Sequence, residues 1–242
     1  KLEHITKVFD HVKMNYVLGY KLLLCLFFDG KSSLPFDFSI HEELGDKGDG
    51  GLGKKTLRKR FSKKRTKGSP AYEREQECGM SKMDSTVRML QRMWKCGLRP
   101  HYALADSWFA CEKFIAAIRN IGKGAIHYIG LAKMGNTKYL VEGKKHNAAE
   151  LVAKYTRRIK HCRKYKCQYI MLRGHLGDIP VRIYLIRYGH KQTWNIMLST
   201  DQSMAFVRAF ELYHIRWNIE VVNKETKRYL GLGSYMGRDF DG

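Results

Sequence analysis

The sequence is poor in acids, in paired cysteines and in long apolar runs, and each shortage excludes something. Its 242 residues hold 23 Asp and Glu against 45 Lys and Arg, a formal charge of +22. No apolar run approaches the ~18 residues of a membrane helix; the longest candidate is residues 22–28. No secretory leader pattern is present. The cysteines (Cys25, Cys78, Cys96, Cys111, Cys162, Cys167) are scattered without a CxxC pair, so reduced thiols in a cytosolic compartment are expected. Residues 45–56 contain Gly-Lys-Lys-Thr but lack the spaced glycine and preceding strand of a P-loop. The first residue is Lys, not Met.

What is present is globular material, 44% hydrophobic and 12% aromatic, long enough to bury roughly 70% of the surface its unfolded form would expose. An excess of +22 draws polyanions, nucleic acid first and anionic membrane surface second. Lys54, Lys55, Arg58, Lys59, Arg60, Lys63, Lys64, Arg65 and Lys67 form one nearly acid-free run, and Lys154, Arg157, Arg158, Lys160, Arg163, Lys164 and Lys166 a second. Neither has the apolar face of a membrane helix. Either run alone is compatible with a solvated loop or helix face. Together they favour phosphate contacts, which position a protein on a duplex without reading its sequence.

Residues 16–28 form an aromatic and apolar run of strand character; the turn Asp29-Gly30-Lys31-Ser32 and a second run, 34–40, complete a β-hairpin. Residues 45–69, Gly-rich and then basic, are expected to make a flexible excursion at one edge of the domain. The spacing of Met83, Val87, Leu90 and Trp94 predicts a helix over 80–94, ending near Gly97 and Pro100. Residues 101–106 read as a short strand and 108–121 as a helix closed by Gly122. From 125 to 200 strand-like runs (126–131, 138–141, 167–172, 181–187, 194–199) alternate with turns, with one helix at 148–157. The longest periodic stretch, 203–230, predicts one helix of about 40 Å at ~1.5 Å per residue. Trp94, Trp194 and Trp217 are expected in the core. No internal repeat is present. The order predicts an α/β unit interrupted by a β-rich insertion, in three parts: 1–124, 125–200 and 201–242.

On the last helix, at about 100° per residue, Tyr213, Arg216, Glu220 and Lys227 share a stripe about 60° wide. Phe206, Phe210, Trp217 and Val221 flank it on one side, and Leu212, Ile215, Ile219 and Val222 on the other. Charged groups embedded in apolar surface cost free energy unless they pair with each other or meet a ligand. A surface network of ion pairs, Arg216 with Glu220 and Glu220 with Lys227, is the plain alternative.

Tyr213, two residues, Arg216, three residues, Glu220, six residues, Lys227: this spacing resembles the signature helix of bacterial insertion-sequence transposases of the DDE class, in the group named for Y, R, E and K. Asp106 in ALADSWF resembles the second catalytic Asp of that family, at a strand end. Residues 16–41 are similar to the family's hairpin, and YLGLGSYMGRDFDG, 229–242, is similar to the segment after its Glu helix. The resemblance implies an α/β, RNase H-like (retroviral-integrase-like) catalytic core whose β-rich insertion separates Asp106 from Glu220. It implies metal-dependent DNA cleavage and strand transfer, with Asp106 and Glu220 holding a pair of Mg²⁺ or Mn²⁺ ions about 3.5–4 Å apart. It implies also that Tyr213, Arg216 and Lys227 contact DNA near the cleaved end, Arg216 and Lys227 as phosphate donors. The implied partners are transposon ends, target DNA and a second copy in the active complex, with no membrane, in the bacterial cytoplasm at the nucleoid.

A third carboxylate is missing from this reading. In an RNase H-like fold the first Asp stands on a strand preceding the hairpin, and no Asp-Asp-Thr-like strand lies before residue 16. Asp29 sits in a hairpin turn, and Asp10 and Asp37 are no better placed. The expectation is a truncated transposase lacking its first core strand, without Mg²⁺-dependent cleavage of its own. Robust cleavage abolished by Asp29→Ala would overturn that. The alternatives are a non-catalytic nucleic-acid-binding remnant and another RNase H-like nuclease using Asp29, Asp106 and Glu220. His161, Cys162, Cys167 and His175 fit no standard zinc spacing. Trp108 offers a ring for a base to stack on, although an aromatic at a helix start is more often core.

Overall fold

The computed structural model describes residues 2–10, 13–45, 47–189 and 193–231. They divide into two compact units: Lys1–Met89 together with the segment from Asn218, and Leu90–Trp217.

In the first unit β1 (Thr6–Asp10) pairs antiparallel with β2 (Asn15–Gly19), and β3 (Lys21–Phe28) with β4 (Ser33–His41). The predicted hairpin is present, but its first run is two strands. Residues up to Gly19 pair with β1, and those from Lys21 pair with β4. An apolar run carries no information on which partner each half takes. The β3–β4 turn is explained by its residues. Asp29 Oδ1 accepts the backbone N–H of Lys31 at 2.8 Å and of Ser32 at 2.7 Å, and Gly30 supplies φ +105. A bulge between Cys25 and Leu26 falls where Leu26 faces Pro35 of β4, and bulges are among the places where a sheet tolerates proline.

Three helices come next, α1 (Lys54–Leu57), α2 (Pro70–Cys78) and α3 (Lys82–Lys95). α2 opens on the Ser69 cap and Pro70; it latches to β4 through Arg74, whose Nη2 donates to Asp37 Oδ1 at 2.6 Å. The stretch 45–69 is no free excursion. Lys7 N–H donates to the Gly50 carbonyl at 2.9 Å, Leu52 is buried, and Arg60 donates to the Ile5 carbonyl. Gly50 is needed there: at φ +59, a Cβ would lie 2.5 Å from Thr6 Cγ2. Gly-rich composition signals conformational freedom, and here that freedom is used for a close approach.

The second unit is built on an eight-stranded mixed sheet. Its strands are β5 (Tyr102–Ala105), β6 (His127–Ala132), β7 (Tyr139–Val141), β8 (Lys144–His146), β9 (Lys160–Cys162), β10 (Cys167–Leu176), β11 (Ile179–Tyr188) and β12 (Asn195–Ser199). The order is β5-β6-β12-β11-β10-β7-β8, with β9 beside β10. β5 and β6 are parallel, joined through α4 (Glu112–Ile121), which buries Phe114, Ile115 and Ile118; the other pairings are antiparallel. The β-rich stretch therefore continues the sheet that contains β5. α5 (Ala148–Lys154) starts on an Asn147/Glu150 capping box. α6 (Phe206–Ile215) closes the core, its Phe206 stacked on Tyr169 at 4.0 Å and the Tyr184 hydroxyl donating to the Met204 carbonyl at 2.7 Å.

The single long helix predicted over 203–230 is two helices, α6 and α7 (Asn218–Tyr229). Between them the ladder tightens: Arg216 N–H donates to the Tyr213 carbonyl and Trp217 N–H to His214, i to i−3 bonds. No proline or glycine marks the spot, and the unit boundary falls at it. The regular i to i−4 ladder assumed for one helix is thus interrupted at Arg216 and Trp217, and Trp217 itself is 59% exposed rather than core. No helix of the described residues is long and apolar enough to cross a membrane. The segment 232–242, part of the family-like C-terminal stretch, lies outside the described residues.

Candidate active site

Asp106 follows the last residue of β5 in extended conformation and caps the single 3₁₀ turn Ser107–Phe109, accepting the Trp108 N–H on Oδ1 at 2.9 Å. Capping ends the strand and leaves the carboxylate exposed at the carboxyl end of a parallel strand, where open α/β sheets place ligands. The Asp106 carbonyl accepts the Phe109 N–H at 3.1 Å, which closes the same turn. Trp108 is 46% exposed and meets Phe109 edge-on at 5.1 Å.

Tyr213, near the end of α6, lies close enough to Asp106 for that charge to act on its phenol, and both belong to the same unit. Burial, with the Asp106 charge adding to it, holds the Tyr213 phenol above its usual range, and Arg216 opposes the shift. The Arg216 guanidinium lies over the Tyr213 ring, 5.6 Å from its centroid.

Tyr128 and Gly130 complete the surroundings, and sequence reasoning missed both. Gly130 faces Ala105 in the parallel register, and a Cβ on it would lie 2.1 Å from the Tyr128 hydroxyl and 2.7 Å from the Ala105 carbonyl. Glycine here lets the Tyr128 ring cross its own strand beside β5. The Tyr128 hydroxyl is buried and has no hydrogen-bond partner among the described residues. Burial pushes that phenol far up, with Tyr213 and Asp106 adding to the effect. A glycine inside a strand-like run was the available signal.

Glu220 and Lys227 belong to the first unit. Glu220 is exposed in the first turn of α7, where the helix dipole favours a carboxylate, and Lys227 is exposed in the last turn, where it favours a cation. α7 is anchored by Val222, which is buried, and by Asn218, whose Nδ2 donates to Ser33 Oγ on β4 at 2.8 Å. Asp29, by contrast, is occupied in its turn, and the backbone N–H groups of Ser32 and Lys31 hold its carboxyl below the usual range.

The basic run divides. Lys54, Lys55, Arg58, Lys59, Lys63 and Lys64 are exposed. Arg60 and Arg65 turn inward: Arg65 has a 2% exposed side chain paired with Glu3 at 2.7 Å, and Arg60 lies 3.6 Å from Glu42. Of the second run, Lys164 pairs with Glu211 and Arg158 with Glu142, while Arg157, Lys160, Arg163 and Lys166 are exposed. Cys162 faces Cys167 across β9–β10 as free thiols.

A family model described as the transposase DDE domain matches residues 80–242, well over half of the chain, and the chain belongs to that family. The matched stretch contains Asp106, Tyr213, Arg216, Glu220 and Lys227. No curated protein and no solved structure matches the chain. DDE transposases use divalent metal ions, and exposed carboxylates such as Asp106 and Glu220 are the hard oxygen donors that Mg²⁺ and Mn²⁺ prefer.

Proposed function

We propose that this chain is the catalytic region of a bacterial insertion-sequence transposase of the Y-R-E-K group, cleaving and joining DNA phosphodiesters. In this reading the core is RNase H-like, with parts 1–124 and 201–242 belonging to it and 125–200 inserted. The observation that supports the reading is the Asp106 charge acting on Tyr213 within one unit, with the Arg216 guanidinium over the Tyr213 ring. Asp106 and Glu220 are the carboxylates that hold the metal ions. A pair of such ions supplies activation of the attacking oxygen and stabilisation of the leaving one.

The rest of the work falls to the chain's own side chains. Arg216 offers a planar fork matched to a phosphate, and the Tyr213 ring beneath it narrows its orientations. Lys227 adds a point charge, and the exposed Trp108 ring offers a stacking face for an unpaired base. Lys54, Lys55, Arg58, Lys59, Lys63 and Lys64 attract the duplex backbone. Two copies act on two element ends, at the bacterial nucleoid.

Mn²⁺ binding, followed by the resonance signal of free Mn²⁺, and cleavage of end-bearing duplexes test this together. Asp106→Asn and Glu220→Gln should each weaken Mn²⁺ binding and abolish whatever metal-dependent cleavage the unaltered chain shows, with DNA affinity retained. Unaltered Mn²⁺ binding in both variants would refute the assignment.

A further inference from the structure

His4 occupies a left-handed backbone conformation, φ +52, which is uncommon outside glycine and less so for histidine than for most residues. Three chain segments meet there: the loop before β1, the residue after β4, and the C-terminus of α2. A ring nitrogen of His4, a carboxylate oxygen of Glu42 and Sγ of Cys78 all lie within 4.8 Å of one another. The segments are latched independently of those side chains, because the Glu42 N–H donates to the Cys78 carbonyl at 3.3 Å and the His41 ring meets the Met80 carbonyl at 3.2 Å.

Two details go beyond proximity. Glu42 Oε2 is buried and lies 3.6 Å from both His4 Nδ1 and Arg60 Nη1, so it accepts no hydrogen bond among the described residues. Both neighbours stand at ion-pair distance, outside hydrogen-bond contact, so the oxygen keeps a lone pair that an ion could bind directly. On the far side of the ring, His4 Nε2 is 3.2 Å from Glu75 Oε1, and Glu75 is itself held by Arg65 Nη1 at 3.3 Å. A carboxylate on one imidazole nitrogen keeps the proton there and turns the lone pair of the other outward, the arrangement that supports metal-bound histidines. Here the second nitrogen is Nδ1, which faces Glu42; without an ion that carboxylate favours a proton on the ring, and a bound ion would take the proton's place.

We propose that His4, Glu42 and Cys78 form a binding site for a divalent cation of the zinc class, with Glu75 orienting His4. One nitrogen, one hard oxygen and one sulfur match Zn²⁺ and not Mg²⁺ or Ca²⁺, and three protein ligands leave a fourth tetrahedral position for water. Binding releases the Cys78 thiol proton to solvent, and with it the Nδ1 proton of a charged His4; Nδ1 then donates its lone pair, and Nε2 keeps its proton on Glu75. The two positive charges then meet one carboxylate and one thiolate, so the site is neutral beside Arg60. The ion ties the start of the chain to β4 and α2 within the first unit. It uses none of the carboxylates assigned to catalysis, and the proposal stands independently of that assignment.

The test uses the full chain, stripped of metal and titrated with Co²⁺, whose near-ultraviolet charge-transfer band reports a thiolate ligand, followed by displacement with Zn²⁺. The expected result is one equivalent bound with that band. The band should be absent in Cys78→Ser and kept in Cys162→Ser, Cys167→Ser and Asp106→Asn, and binding should be about 10–100-fold weaker in Glu75→Gln. No thiolate band in the unaltered chain, or a band that survives Cys78→Ser, overturns the proposal. Glu42→Gln gives the same decision should Cys78→Ser fail to fold: with an unchanged far-ultraviolet spectrum, loss of tight Co²⁺ binding supports the site and unaltered affinity overturns it.

Discussion

Arg65 grips Glu3 with both arms of its guanidinium, Nη1 to Oε1 at 3.1 Å and Nη2 to Oε2 at 2.7 Å, and each side chain is only 2% exposed. The Lys63 N–H donates to the same Oε1 at 2.9 Å. A residue near the end of the basic run thus fastens the start of the chain. Removing one member of a buried pair strands the other charge, at about 3–5 kcal/mol. Arg65→Ala should lower unfolding stability by that order in urea titrations. Arg65→Lys should recover only part of it, because an ammonium cannot span both oxygens. A loss below about 1 kcal/mol would place the pair with ordinary surface bridges.

The exposed members of the run should behave differently. Lys54, Lys55, Lys59 and Lys64 project into solvent, so changing them to Gln should leave the fold intact and weaken DNA binding evenly across sequences. The diagnostic is the salt dependence. Every phosphate that is no longer neutralised should reduce the slope of log affinity against log salt by about 0.9, whereas Arg65→Lys should not change that slope. An unchanged slope in the quadruple variant would remove this segment from the DNA interface.

The β3–β4 hairpin could be read from the sequence because its turn chemistry is local, Asp29 accepting two N–H groups beside a positive-φ glycine. The strand before Asp106 could be read because it is short and apolar, whereas Asp106 itself stood out through the family resemblance of ALADSWF. Arg65 could not, since a run of like charges looks the same whether a member faces water or a carboxylate 62 residues away. Nor could the break at Trp217: apolar spacing continues through it without proline or glycine, so the tightened turn is set by tertiary packing rather than by local propensity. Tyr128 escaped notice because its role depends on where its ring crosses a neighbouring strand.

Gly130 and Tyr128 therefore carry the next prediction. In Gly130→Ala the new methyl meets the Ala105 carbonyl, which is backbone, as well as the Tyr128 hydroxyl, so β5 must move. Forced insertions of this kind cost about 1–3 kcal/mol, and the displacement falls on the strand that ends at Asp106. Stability and Mn²⁺ binding should both decline. Tyr128→Phe deletes a buried hydroxyl without a partner among the described residues, so it should unfold at the same or higher denaturant concentration. A clear destabilisation in Tyr128→Phe would mean that this hydroxyl is satisfied by something bound at the site.

His127 supplies a pH dependence whose sign is fixed by its surroundings. It opens β6, with Arg119 Nη1 at 3.3 Å from its Nδ1 and Thr200 Oγ1 at 3.3 Å. Burial first, and then the Arg119 charge, lowers its pKa below 6.5, while Asp201 and Thr200 oppose the shift. A histidine depressed in the folded state binds its proton more readily when unfolded. Its contribution is therefore fully present above pH 6.5 and is lost as the pH falls from there through the folded value. Urea unfolding of the second unit at pH 7.5 and at pH 5.5 should show weaker stability at the lower pH, and His127→Gln should shrink that difference by removing the titrating ring. Equal pH dependence in the variant would show that His127 is not the group responsible, whereas a reversed sign would mean that Asp201 outweighs burial and Arg119 at this position.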